Sequence, residues 1–152
     1  MEPTRDDLLS LVDQTWQTLF GDAIEPNEPA PIDPAGIRAT VSIRGAWQGR
    51  VVLDFTTGAA EAVACGLLEA KPGELETAAI LDAAGEMANI LAGNLKSMVP
   101  QPSTLGLPVT SQGAQLLENP DFSNENHHLV SFLWKDTQIS VTFVEGSDGD
   151  GA

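Results

Sequence analysis

Apolar residues first recur at helical spacing between Thr4 and Phe20, where Leu8, Leu9, Leu11, Val12, Trp16, Leu19 and Phe20 make the apolar face. Thr4 or Asp6 can cap this helix, and Gly21 can end it. Residues 22–36, DAIEPNEPAPIDPAG, then hold four prolines, which predicts an extended connector. The period next drops to two. Ile37, Ala39, Val41 and Ile43 alternate with Arg38, Thr40, Ser42 and Arg44, and QGRVVLDFT follows a turn between Gly45 and Gly49. These two runs predict a hairpin. TTGAAEAVACGLLEA predicts a short helix capped by Thr56 or Thr57, broken at Lys71-Pro72-Gly73. Residues 74–99 predict the longest helix, rich in Ala, Leu, Glu and Met.

PQPST stops that helix. LGLPVTSQGAQLLE reads as one strand or two short ones, and ENPDFSNEN as a turn-rich loop. HHLVSFLWK and TQISVTFVE predict a second hairpin across Asp136. The order predicts an α+β fold with a mainly antiparallel sheet and long helices packed on it. One helix-plus-strands unit recurs in topology, with weak side-chain identity between the halves. Residues 1–145 are expected to form a single domain, and 146–152, GSDGDGA, a disordered tail.

Charge narrows the function classes. The 152 residues include 22 acids and 7 bases, a formal charge of −15. Nucleic-acid binding needs clustered Lys and Arg, and docking on an anionic membrane needs the same, so neither is expected. The N-terminus has neither a basic segment nor an apolar one, so it does not resemble a signal peptide. No run approaches the ~20 apolar residues of a membrane span. A cytoplasmic location is expected. Cys65 is the one cysteine, in an apolar context, and reads as a small core residue. His127 and His128 are adjacent, so on a strand they face opposite sides and cannot chelate together. No metal site and no cofactor of the chain's own are expected.

The long helix carries the candidate chemistry. At about 100° per residue, Asp82, Glu86, Asn89 and Gly93 fall within an arc of roughly 60°. Ile80, Ala84, Met87, Leu91, Leu95 and Met98 centre on the opposite side, with Asn94 near the border. Gly85 and Gly93 on the polar side each cost about 1 kcal/mol relative to Ala in a helix. They also remove bulk and let another backbone come close. Asn89 is a poor helix-interior residue too. Several local penalties on one face suggest a use for that face. The spacing by itself also fits a plain solvated face, since carboxylates at i and i+4 are common on exposed helices.

EMANILAGN closely resembles the catalytic helix of the CheX/CheC/FliY family, phosphatases acting on the chemotaxis response regulator CheY. The pattern of Asp or Ser, three residues, Glu, two residues and Asn is met by Asp82, Glu86 and Asn89. GLPVTSQ, with Pro108, resembles the strand after that helix, and GRVVLDFTTGAAEAVACGLL resembles the family's hairpin strand and following helix. Pro108 lies closer to Asn89 than the family's proline does, and Pro100 and Pro102 are nearby. Only one such stripe is visible: the first helix offers Asp13 and Trp16 at the comparable spacing, and no Asn. The pattern is therefore most similar to single-site CheX.

The resemblance implies a substrate, an aspartyl phosphate on a CheY-like receiver domain. It implies that Asn89 orients water and that Glu86 pairs with the receiver's lysine. It implies that Asp82, Gly85, Gly93 and Pro108 serve partner binding. Mg2+ is expected on the receiver partner, and a homodimer is implied by analogy. The alternative within the same resemblance is a non-catalytic module that binds a receiver or the flagellar switch.

Overall fold

A computed structural model of the chain describes residues 3–29, 31, 33–113 and 126–146. The expected tail from 147 onward and most of the 118–126 loop lie outside the described residues.

Helix α1 spans Arg5–Phe20. The Thr4 hydroxyl accepts the Asp7 N–H at 3.1 Å, and the Asp7 carboxylate accepts the Thr4 N–H at 2.9 Å. This reciprocal pair satisfies two backbone donors that the helix start would otherwise orphan. Gly21 follows with φ of 75°, a left-handed conformation that glycine adopts without a Cβ penalty.

The remaining elements, in chain order, are β1 (Glu25–Pro26), β2 (Ile37–Gly45), β3 (Gly49–Phe55), α2 (Thr57–Leu68), α3 (Thr77–Lys96), β4 (Ser103–Leu105), β5 (Val109–Gln112), β6 (Asn126–Trp134) and β7 (Thr137–Glu145). Both expected hairpins form, β2 with β3 and β6 with β7. Lys135 and Asp136 take φ of 50° and 59°, as a tight two-residue hairpin turn requires. The Thr56 hydroxyl caps α2 by accepting the Ala59 N–H at 3.2 Å.

The α+β expectation holds. The strands form one sheet in the order β1-β6-β7-β3-β2-β4, with β5 also on β2, and every pairing is antiparallel. The order is nearly symmetric about the β7–β3 boundary. Strand β1, which follows α1, joins the β6–β7 hairpin, and β5, which follows α3, joins the β2–β3 hairpin. Each half supplies an edge strand to the other. That exchange is the structural form of the recurring unit seen in the sequence.

All three helices pack on one face of the sheet. The inward positions of the strands, among them Val41, Leu53, Phe55, Phe132 and Val141, meet Val12 and Trp16 of α1, Val63 of α2, and Met87 and Leu91 of α3. The other face is mostly polar, with Val52 and Val144 the buried apolar residues on it. There Arg38 and Asp54, opposite each other on β2 and β3, pair at 2.7 Å and 3.1 Å.

Helix α3 is shorter than the 74–99 expected. Glu76 stands at its N-cap and makes no side-chain cap bond. Beyond Lys96 the chain tightens into a turn, and the Gln101 carboxamide donates to the carbonyls of Lys96 at 2.6 Å and Val99 at 3.0 Å. Those bonds satisfy acceptors that the helix end leaves open.

Candidate functional site

Helix α3 positions the stripe by burying its opposite side. Ala84, Met87, Ala88, Leu91 and Leu95 are in the core. Asp82 and Glu86 are exposed, and Asn89 is half-buried. Among the described residues, none of these three side chains has a hydrogen bond or ion pair. A carboxylate and a carboxamide one turn apart are thus presented with their polar atoms uncommitted. The carboxamide can both donate and accept without carrying charge.

The two glycines differ. Gly85 is buried, and a Cβ there would lie 3.2 Å from Pro108 Cβ and 3.5 Å from Thr110 Cγ2. The space that glycine leaves at this position is taken by the chain's own β5 arm. Gly93 is half-buried, and a Cβ there would come no closer than 4.0 Å to Leu105 Cδ1. Pro108 is exposed beyond its contact with Gly85, so it borders the stripe. Leu107 and Val109 on either side of it are 88% and 67% exposed.

Asn94, at the border of the apolar face, ties α3 to α1. Its carboxamide donates to the Thr15 hydroxyl at 3.0 Å, and that hydroxyl donates to the Leu11 carbonyl at 2.7 Å. The sequence pattern flags Asn94 as out of place but gives no partner for it. Beside this bridge lies a groove between the two helices, which helical spacing could not reveal.

Helix α1 does not repeat the stripe. Trp16 is fully buried, and the Asp13 carboxylate accepts the Ile24 N–H at 3.0 Å and the Gln17 carboxamide at 2.8 Å. Both residues at the comparable spacing are consumed by the fold. Other candidates stay weak. Cys65 is half-buried on α2, and burial, followed by the charges of Glu61 and Glu74, pushes its thiol above the usual range. A thiol held protonated is a poor nucleophile. Among the described residues, no cluster of His, Cys, Asp and Glu could hold a metal ion. No helix there is long and apolar enough to cross a membrane.

A sheet exchanged between two halves, with one polar stripe on the second half's helix, can be compared with known proteins. The family model described as chemotaxis phosphatase CheX matches residues 37–132, which include the whole of α3. The chain belongs to the CheX family. None of the curated proteins matches the sequence. Among solved structures, CheX of Vibrio vulnificus is similar with a TM-score of 0.73 at 15% identity, covering 95% of this chain and 100% of that one. CheX of Borrelia burgdorferi, solved in a complex with CheY, BeF3 and Mg2+, is similar with a TM-score of 0.73 at 17% identity, covering 95% and 99%. The FliM middle domain of H. pylori is more distant, with a TM-score of 0.54 at 11% identity, covering 92% and 86%. At these identities the likeness is one of fold. Asp82, Glu86 and Asn89 lie within the matched residues, on the side of α3 away from the core.

Proposed function

We propose that this CheX-family chain is a phosphatase for the aspartyl phosphate of a CheY-like receiver domain. The observation that carries the reading is the pair of uncommitted side chains, Glu86 and Asn89, on the outer face of α3. The Borrelia burgdorferi relative in complex with CheY supports a receiver as the partner.

An acyl phosphate is already activated, so hydrolysis needs mainly an oriented water and balanced charge. The Asn89 carboxamide oxygen accepts a hydrogen bond from the attacking water and aims the water's oxygen at phosphorus, and the water's protons leave with the phosphate. The P–O bond to the receiver's aspartate breaks, the carboxylate leaves with the electron pair, and inorganic phosphate is released. Glu86 pairs with the receiver's active-site lysine through a charge-assisted bond that sets the docking register. Asp82, one turn earlier, supports docking electrostatically. Pro108, seated against Gly85, shapes one border of the site, and Gly93 keeps the helix surface low further along. The Mg2+ belongs to the receiver. The chain supplies position and charge, which is most of what phosphoryl transfer asks of a protein.

The likeness to a FliM domain motivates a second reading, docking without hydrolysis. One experiment separates the two. The decay of a phosphorylated CheY-like receiver is followed alone, with this protein, and with Asn89→Ala. Faster decay that Asn89→Ala abolishes, with receiver binding retained, supports the phosphatase. Glu86→Lys is expected to lose binding as well. Unchanged decay across several receivers that do bind the protein would leave the docking module.

A further inference from the structure

The stripe on α3 has two unequal flanks. On one side the chain's own Pro108 and Thr110 close over Gly85. On the other a groove of about 570 Å³ runs between α1 and α3. Leu11 and Leu19 of α1, Ile90 of α3 and Met98 just past the end of α3 give its apolar lining. Gln14, Thr15 and Thr18 face Asn94 and Ser97 across it. None of these side chains is charged, in a chain whose formal charge is −15.

The groove begins where the stripe ends. Ile90 directly follows Asn89, and Asn94 is five residues further along the same helix. The Asn94–Thr15 bond fixes the spacing of the two helices, so the groove is a held feature and not slack between side chains. Among the described residues, the carbonyl oxygen of the Asn94 side chain has no donor. It is an acceptor left open at the groove's rim.

Size argues that a docked receiver needs this surface. A standard protein interface takes roughly 20–30 residues a side, far more than three side chains of one helix. A receiver seated over Glu86 and Asn89 meets Pro108 on one flank and has the groove on the other. A charged segment entering the groove would lose hydration with no opposite charge to meet it.

We propose that the α1–α3 groove is the second half of the receiver's footprint, taking an uncharged, partly apolar segment beside the receiver's phosphorylation site. The inference rests on the phosphatase reading above. It adds that α1, which has no catalytic stripe, contributes affinity and partner choice through Gln14 and Thr18, which face Asn94 of α3. The groove-facing segment of a matching receiver carries small apolar side chains and a hydrogen-bond donor for Asn94.

The test uses Gln14→Arg and Thr18→Arg, both at exposed positions away from the stripe. Arginine is a good helix former, so α1 should be retained, and far-UV circular dichroism with thermal melting checks this. Dephosphorylation is measured over a range of receiver concentrations, with binding to a beryllofluoride-activated CheY-like receiver measured separately. KM and Kd are expected to rise about tenfold with kcat within about twofold, the pattern of lost uniform binding. Wild-type acceleration together with unchanged KM and Kd in both folded variants overturns the groove proposal alone. Loss of a dimer by light scattering, with receiver affinity unchanged, also overturns it and assigns the groove to a second copy. No acceleration by the wild type removes the underlying phosphatase reading and this inference with it. Should an arginine variant unfold, Gln14→Glu gives the same readout with a smaller side chain.

Discussion

A Cβ added to Gly85 would sit 3.2 Å from the Cβ of Pro108, closer than side chains ordinarily pack. The contact joins α3 to the arm that leads into β5, one residue before Glu86. The border of the candidate active site therefore depends on the absence of a side chain.

Two substitutions at Gly85 should separate helix propensity from packing. Gly85→Ala gains about 1 kcal/mol of propensity and loses part of it to pushing Pro108 aside, so its urea midpoint should stay close to wild type. Gly85→Val overpacks the contact and should lose about 1–3 kcal/mol. A valine variant as stable as wild type would mean that the β5 arm moves away freely.

The Thr15 hydroxyl accepts from Asn94 and donates to the Leu11 carbonyl while 5% exposed. Thr15→Val keeps the shape and removes both bonds. It should lower stability by about 1 kcal/mol in denaturant unfolding, and Thr15→Ser should restore most of that. Equal stability for Thr15→Val and wild type would show that the bridge between α1 and α3 contributes nothing net.

Arg38 and Asp54 pair on the sheet's polar face with side chains 9% and 13% exposed. Asp54→Ala strands a guanidinium with little water around it and should cost about 3–5 kcal/mol. Replacing both residues with apolar ones of similar size should recover most of the loss, because neither charge is then left unpaired. A double variant as unstable as Asp54→Ala would argue against that origin.

Asp7 links α1 to pH. Its carboxylate accepts the Thr4 N–H and, less strongly, interacts with the Thr4 hydroxyl, which together hold it below its ordinary value of 3.8. A pKa lowered by folding stabilises the folded state above the unfolded value, and that contribution fades as pH falls through 3.8 toward the lower folded value. Asp7→Asn should flatten this acid limb of the stability profile and leave the neutral region's slope unchanged. An identical acid limb in the variant would assign it to other carboxylates.

Several features were readable from local spacing. Thr4, Thr56 and Gly21 act at the helix ends that their residue types suggest, and both hairpins pair where the period-two runs lie. The ends of α3 were less clear, because strong helix formers continue past the backbone's last regular bond and no cap residue marks its start. Cys65, in an apolar run, was expected in the core and is only half-buried, since α2 presents one side to solvent.

Periodicity alone puts Asp82, Glu86 and Asn89 on one side of α3, because residues on a single helix are placed by rise and rotation per step. No tertiary contact is needed for that. Which neighbour fills Gly85, what Asn94 holds, and where a groove remains are different questions. Gly85 meets Pro108 and Asn94 meets Thr15 only because the sheet brings α1, α3 and β5 together, with each half lending an edge strand to the other. Contacts between residues that distant in sequence depend on how whole elements pack, and spacing along the chain carries no record of it.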